Sequence, residues 1–155
     1  MSIEIYCLSD SPLSSISEWQ QFIDALGFPL RFSSDVPFDK VGGSIVAQLR
    51  GNRTSLEYRF EDPKQLMNFY SNVNFGHDWK YNLTLPWISG FDGLDVAWMA
   101  AASYAHATDG IVFDPQEGKV FNSEEALHVI RDMERDAPQA KTALQDFLRQ
   151  LSAKP

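Results

Sequence analysis

The hydrophobic and polar positions of this chain change period several times, and each change marks an element. Ser2 to Leu8 alternates, with Ile3, Ile5 and Cys7 against Glu4, Tyr6 and Leu8, which predicts a short strand. Ile16, Trp19, Phe22, Ile23 and Leu26 then share one helical face, with a capping box at Ser15-Ile16-Ser17-Glu18 ahead of them and Gly27 as a C′ stop. Pro29 to Phe32 predicts a short extended piece. Ser33 to Gly43, which holds Pro37 and Gly42-Gly43, predicts a loop. Ser44 to Arg50 and Thr54 to Phe60 alternate and predict a hairpin through Gly51-Asn52-Arg53. Ile45, Ala47, Leu49, Leu56, Tyr58 and Phe60 fall on its inner face, and Glu57 and Arg59 on a wet one.

Asp62-Pro63 is an N-cap followed by proline at the first helical position, and the helix is expected to run to about Asn72. His77 to Leu85 alternates again, with Trp79, Tyr81, Leu83 and Leu85 inward and Lys80, Asn82 and Thr84 outward. The period then lengthens. Val96 to Ala107 carries almost no polar side chain, and a helix apolar nearly all round is buried on more than one side. This helix is the expected spine of the core. Thr108-Asp109-Gly110 stops it, with Gly110 expected at C′ and positive φ. Ile111 to Phe113 and Lys119 to Phe121 predict a small hairpin about the turn Asp114–Gly118. Asn122 with Glu125 caps a further helix striped by Ala126, Leu127, Ile130 and Met133; after a break at Asp136-Ala137-Pro138, Ala143, Leu144, Phe147, Leu148 and Leu151 line a last one. Strands and helices interleave around a central hairpin. The expectation is one α+β domain over residues 1–155, a largely antiparallel sheet with helices packed on one face around the buried central helix.

Composition narrows the function classes. No apolar run approaches the roughly 20 residues of a membrane span, and MSIEIYCLSD lacks the basic start and apolar stretch of a secretory signal. A cytoplasmic location is expected, and the single cysteine suits a reducing compartment. The net charge of −8 argues against nucleic acid, which needs a basic footprint. Between Glu61 and Glu117 eight acids face two bases, so that stretch alone carries −6. Such a patch serves solubility, and it also speeds encounter with a basic partner.

Chemistry-bearing patterns are sparse. His77, His106 and His128 sit on three different elements without ligand spacing, and no zinc, calcium, phosphate-loop or nucleophile-elbow pattern occurs. No catalytic residue, cofactor or metal is expected. Cys7 points with the isoleucines and reads as a buried structural thiol. Asp92 and Asp95 share one helical face near the start of the central helix, where acids complement the helix dipole. Eight aromatics stand in the thirty residues from Phe69 to Trp98. Rings as anchors with carboxylates as steering groups are what an interface for a basic protein requires. Asp78, Trp87, Phe91, Asp92 and Asp95 are therefore the candidate partner-binding residues.

The segment Ala97 to Gly118, an alanine-rich helix running into Thr-Asp-Gly-Ile-Val-Phe-Asp-Pro-Gln-Glu-Gly, resembles part of a group of small bacterial proteins. Several of these are encoded beside polymorphic or type VI secreted toxins and are immunity proteins. The resemblance carries no functional residue. It implies a bacterial cytoplasmic protein that binds and neutralises one cognate toxin without catalysis, and the acidic balance of the chain suits a basic nuclease as that toxin. The alternative is a regulatory domain that binds a small molecule or peptide between the sheet and the central helix.

Overall fold

The computed structural model describes residues 2–33, 38, 41–88 and 91–135, with side chains for all of these except 2, 3, 87, 88 and 91–93. The helix expected beyond Asp136 and most of the loop expected before Gly43 fall outside these residues. The architecture is α+β. Seven strands form one sheet in the order β2-β3-β4-β5-β1-β6-β7, and every neighbouring pair is antiparallel. The strands are β1 (Ser2–Ser9), β2 (Leu30–Phe32), β3 (Gly42–Leu49), β4 (Asn52–Glu61), β5 (Tyr81–Ile88), β6 (Ile111–Asp114) and β7 (Lys119–Asn122). The helices are α1 (Ile16–Ala25), α2 (Pro63–Phe69), α3 (Phe91–Thr108) and α4, helical over residues 123–135.

The caps form largely as the sequence predicts. Ser15 accepts from the Glu18 N–H, whereas the Glu18 carboxylate reaches back to Ser14 instead of closing the box on Ser15. At α4 the exchange is reciprocal, with Glu125 N–H donating to Asn122 Oδ1 and Asn122 N–H to Glu125 Oε1. The β3–β4 turn is tighter than expected. Leu49 pairs with Asn52, leaving Arg50 and Gly51 as a two-residue loop with φ of 50° and 83°, as a type I′ hairpin requires.

Helix α3 is the spine. Every residue from Val96 to Ala105 is buried, Ser103 included. Its alanines let the sheet and α1 approach closely. Cys7 on β1 lies against the Ala101 carbonyl, and Trp19 of α1, fully buried, donates its indole N–H to Ala100 O and Ser103 Oγ. Burial alone pushes the Cys7 thiol far up, so it stays protonated and behaves as an apolar group. Ile5, Cys7, Leu83, Leu85, Leu56, Tyr58 and Val112 face this layer.

Successive strand residues point to opposite faces, so Tyr6, Leu8, Ile111 and Phe113 face the other way. There they meet Leu66 of α2 together with Phe75 and Trp79 from the loop after it. Trp79 is a departure from the sequence reading, which placed it on a strand with Leu83. β5 begins only at Tyr81. Gly76 turns the chain at φ 94°, and the Trp79 indole donates to Phe75 O at 2.7 Å, closing a compact loop.

The α3 terminus also differs. Asp109, not Gly110, takes the left-handed conformation (φ 55°), and Gly110 N–H bonds Ala105 O in the six-to-one manner of a Schellman cap. Glycine is needed at 110 for space: a Cβ there would lie 2.2 Å from Leu8 O.

Candidate functional site

The structure separates the residues that the sequence grouped. Asp78 is exposed in the loop between α2 and β5, next to Trp79 of the Phe113 cluster. Asp95 is on the opposite side of the sheet, in α3. It is 3% exposed and lies 3.7 Å from Arg50, whose other guanidinium nitrogen holds Glu134 at 2.8 Å. A carboxylate so placed ties α3 and α4 to the β3–β4 turn and is not an exposed steering group. The backbone of Trp87 pairs with Ile3 on β5, and Phe91 and Asp92 open α3. The side chains of Trp87, Phe91 and Asp92 lie outside the described residues.

Acids and rings do converge, on the α2 side of the sheet. Asp62 caps α2 by accepting from Lys64 N–H at 2.9 Å, and Pro63 follows at the first helical position. This start swings the seven-residue helix over β1 and β6, where Leu66 is buried. Tyr70 meets Phe113 edge-on at 4.8 Å and Phe69 at 4.9 Å. Phe69 itself is 79% exposed. Between α2 and the sheet lies a cleft of about 340 Å³ walled by Glu61, Asp62, Tyr6, Phe69 and Tyr70, with Asn82 also lining it.

Electrostatics on this face are negative. Arg59 is clamped by Glu4 and, at 3.1 Å, by Glu61, so two carboxylates share one guanidinium, and Asp62 adds a third acid at the cleft. Tyr6 donates its hydroxyl to Glu4, and burial first, then that carboxylate, push its ionisation well above the ordinary phenol range. The phenol is therefore a fixed donor, with no role as a base. Beneath these groups Asn82 and Thr84, two apart on β5, are 2% and 0% exposed, and Asn82 Oδ1 and Thr84 Oγ1 are buried with no hydrogen-bond partner among the described residues.

A second cleft, of about 590 Å³, opens on the α3 side. Ile5, Trp98, Phe121, Val129 and Met133 supply apolar walls, and Asp114 and Lys119, partners across the β6–β7 hairpin, supply charge. Trp98 meets Phe121 edge-on at 5.3 Å, and the Lys119 ammonium lies 5.4 Å from the Phe121 ring centre. Burial raises the Asp114 carboxyl above the usual range, against a lowering hydrogen bond from Gln116 N–H.

The α2 cleft was missed because Asn82 and Thr84 read as solvent-facing. The signal that would have found it is Tyr6 with Leu8, two large side chains on the face of β1 opposite Ile5 and Cys7. Among the described residues no group of three or more His, Cys, Asp or Glu is placed to hold a metal, and no helix is long and apolar enough to cross a membrane. Comparison with protein-family models, with curated proteins and with solved structures finds no match to this chain.

Proposed function

We propose that this protein is an immunity-type inhibitor of bacterial origin, acting in the cytoplasm, that binds one cognate toxin and neutralises it without catalysis. The toxin is a basic protein, a nuclease being the class that fits best. The observation that carries the reading is Phe69, 79% exposed on the wall of a cleft that also holds Glu61 and Asp62. A ring ready to be covered, edged by carboxylates, is what the centre and rim of an interface with a basic surface require. The charge of the whole chain, −8, works in the same direction by speeding encounter.

The test is co-expression with the basic product of a neighbouring reading frame. A stoichiometric complex and loss of toxicity are expected, with an association rate that falls as salt rises. Phe69→Ala should raise the dissociation rate, by about tenfold or more if the ring is a hot spot. A complex formed with the rate constants of Phe69→Ala unchanged, or no complex with a basic neighbour, would refute the reading.

The α3-side cleft favours a second reading, a regulatory domain that binds a small amphipathic molecule or peptide. Its apolar walls and three charged groups, Asp114, Glu117 and Lys119, are the composition of a ligand site. A ligand that raises the melting temperature of the protein but not of Trp98→Phe would support it.

A further inference from the structure

The α3-side cleft holds two opposite charges that do not neutralise each other. Asp114 and Lys119 face one another as the last cross-strand pair before the β6–β7 turn, and both line the cleft. An opposite-charge pair so placed ordinarily joins across its strands. Here no ion pair among the described residues uses either of them, and the Lys119 ammonium lies instead 5.4 Å from the Phe121 ring centre. The Asp114 carboxylate takes the Gln116 N–H at 2.9 Å, yet burial, with the Glu117 charge added, still holds it above the usual carboxylate range. What it lacks is a cation. Leu94, Trp98, Phe121, Val129 and Met133 line the rest of the cleft with apolar surface.

We infer that this cleft binds a free α-amino acid with a large apolar side chain. The inference names a ligand for the regulatory reading above and rests on that reading, not on the toxin. The ligand's ammonium donates to Asp114, with Glu117 adding attraction, its carboxylate accepts from Lys119, and its side chain lies against Trp98, Phe121 and Met133. Complementarity decides the class. A phosphate-bearing ligand is repelled by Asp114 and Glu117, and a hydrocarbon leaves the Asp114 charge unmet. A peptide fits less well than a single amino acid. Paired positions across a hairpin hold their Cβ atoms about 5 Å apart, so the ligand's two charges must sit close together, as they do on one α-carbon. Each added residue moves the termini of an extended peptide about 3.5 Å further apart. The volume, about 590 Å³, falls in the range of ligand pockets and admits aromatic as well as branched aliphatic side chains. Ionised Asp114 also opposes folding where it stands, and an ammonium beside it removes that cost.

The test uses the full chain, labelled with nitrogen-15 and titrated with leucine and with phenylalanine. Saturable shifts are expected at the backbone amides of Asp114, Lys119, Phe121, Val129 and Met133. Leucine methyl ester lacks the carboxylate and N-acetyl-leucine lacks the ammonium, and each should bind about tenfold or more weakly than leucine. Lys119→Met should weaken leucine about tenfold while leaving the methyl ester unchanged, a selectivity that damage to the fold would not give. Asp114→Asn should weaken leucine to a similar degree while raising the melting temperature at neutral pH, so its loss of binding is not a loss of structure. Absent shifts at millimolar amino acid, or shifts confined to the α2 cleft, overturn the inference. The two readings fail separately. If leucine, its methyl ester and N-acetyl-leucine bind this cleft equally, the regulatory reading stands and the amino-acid assignment falls. If none of them binds and Trp98→Phe changes the melting temperature with no ligand tried, both fall.

Discussion

Adding a single methyl group at Gly110 probes the joint between α3 and β6. A Cβ at this position would sit 2.2 Å from the Leu8 carbonyl oxygen, whereas real Cβ atoms essentially never come within 3.0 Å of such a neighbour, so the backbone must yield by at least 0.8 Å. Leu8 has no room to retreat. It is fully buried on β1 and paired to Asn82 on one side and Ile111 on the other. Gly110→Ala should therefore cost about 2 kcal/mol, the middle of the range for overpacking, which lowers the melting temperature by about 4–8 °C in a domain of this size. The adjacent change has the opposite sign. Asp109 sits at φ 55°, so Asp109→Gly relieves left-handed strain of about 1 kcal/mol and loses part of that to the greater freedom of the unfolded chain. It should be neutral or slightly stabilising. Urea and thermal unfolding of both variants, with the denaturant slope unchanged, is the assay. A neutral Gly110→Ala, or an Asp109→Gly more damaging than Gly110→Ala, refutes the placement of the left-handed residue at 109.

Three further outcomes follow from the core. Trp98→Ala should lose about 3 kcal/mol, the low end for a buried ring because one side of Trp98 already borders a cleft; a loss under about 1 kcal/mol in urea unfolding would mean that α3 is not the spine. Asp114 has its folded-state pKa raised by burial, so its ionisation opposes folding and the protein loses this contribution as pH rises through that pKa; Asp114→Asn should raise the melting temperature at neutral pH, with the gain vanishing in acid, and a pH-independent gain would contradict it. Cys7 should resist thiol reagents in the native protein and react at the rate of global opening, so that fast labelling without unfolding would show the thiol to be accessible.

The elements were legible wherever one face of the chain had a single fate. Leu56, Tyr58 and Phe60 all meet the helical layer, and their alternation alone places them there. The run from Val96 to Ala105 is buried all round because nothing in it needs water. Legibility ended where cover comes from a distant part of the chain. Glu57 and Asn82 both read as outward, yet Glu57 is exposed and Asn82 is not, since Asn82 lies in the cleft beneath α2 and Glu57 does not line it. Nearness in sequence misled in the same way: Asp78 and Asp95 are seventeen positions apart and end on opposite sides of the sheet. The acids and rings that do converge, Glu61 and Asp62 with Tyr6 and Phe69, come from β1, the end of β4 and the two ends of α2. No window along the chain contains them all. One inference was still open to a reader of the sequence. Tyr6 and Leu8 are too apolar for a wet face, so something had to cover them. The helix after Asp62-Pro63, with Leu66, Met67 and Tyr70 to bury, is the element that does.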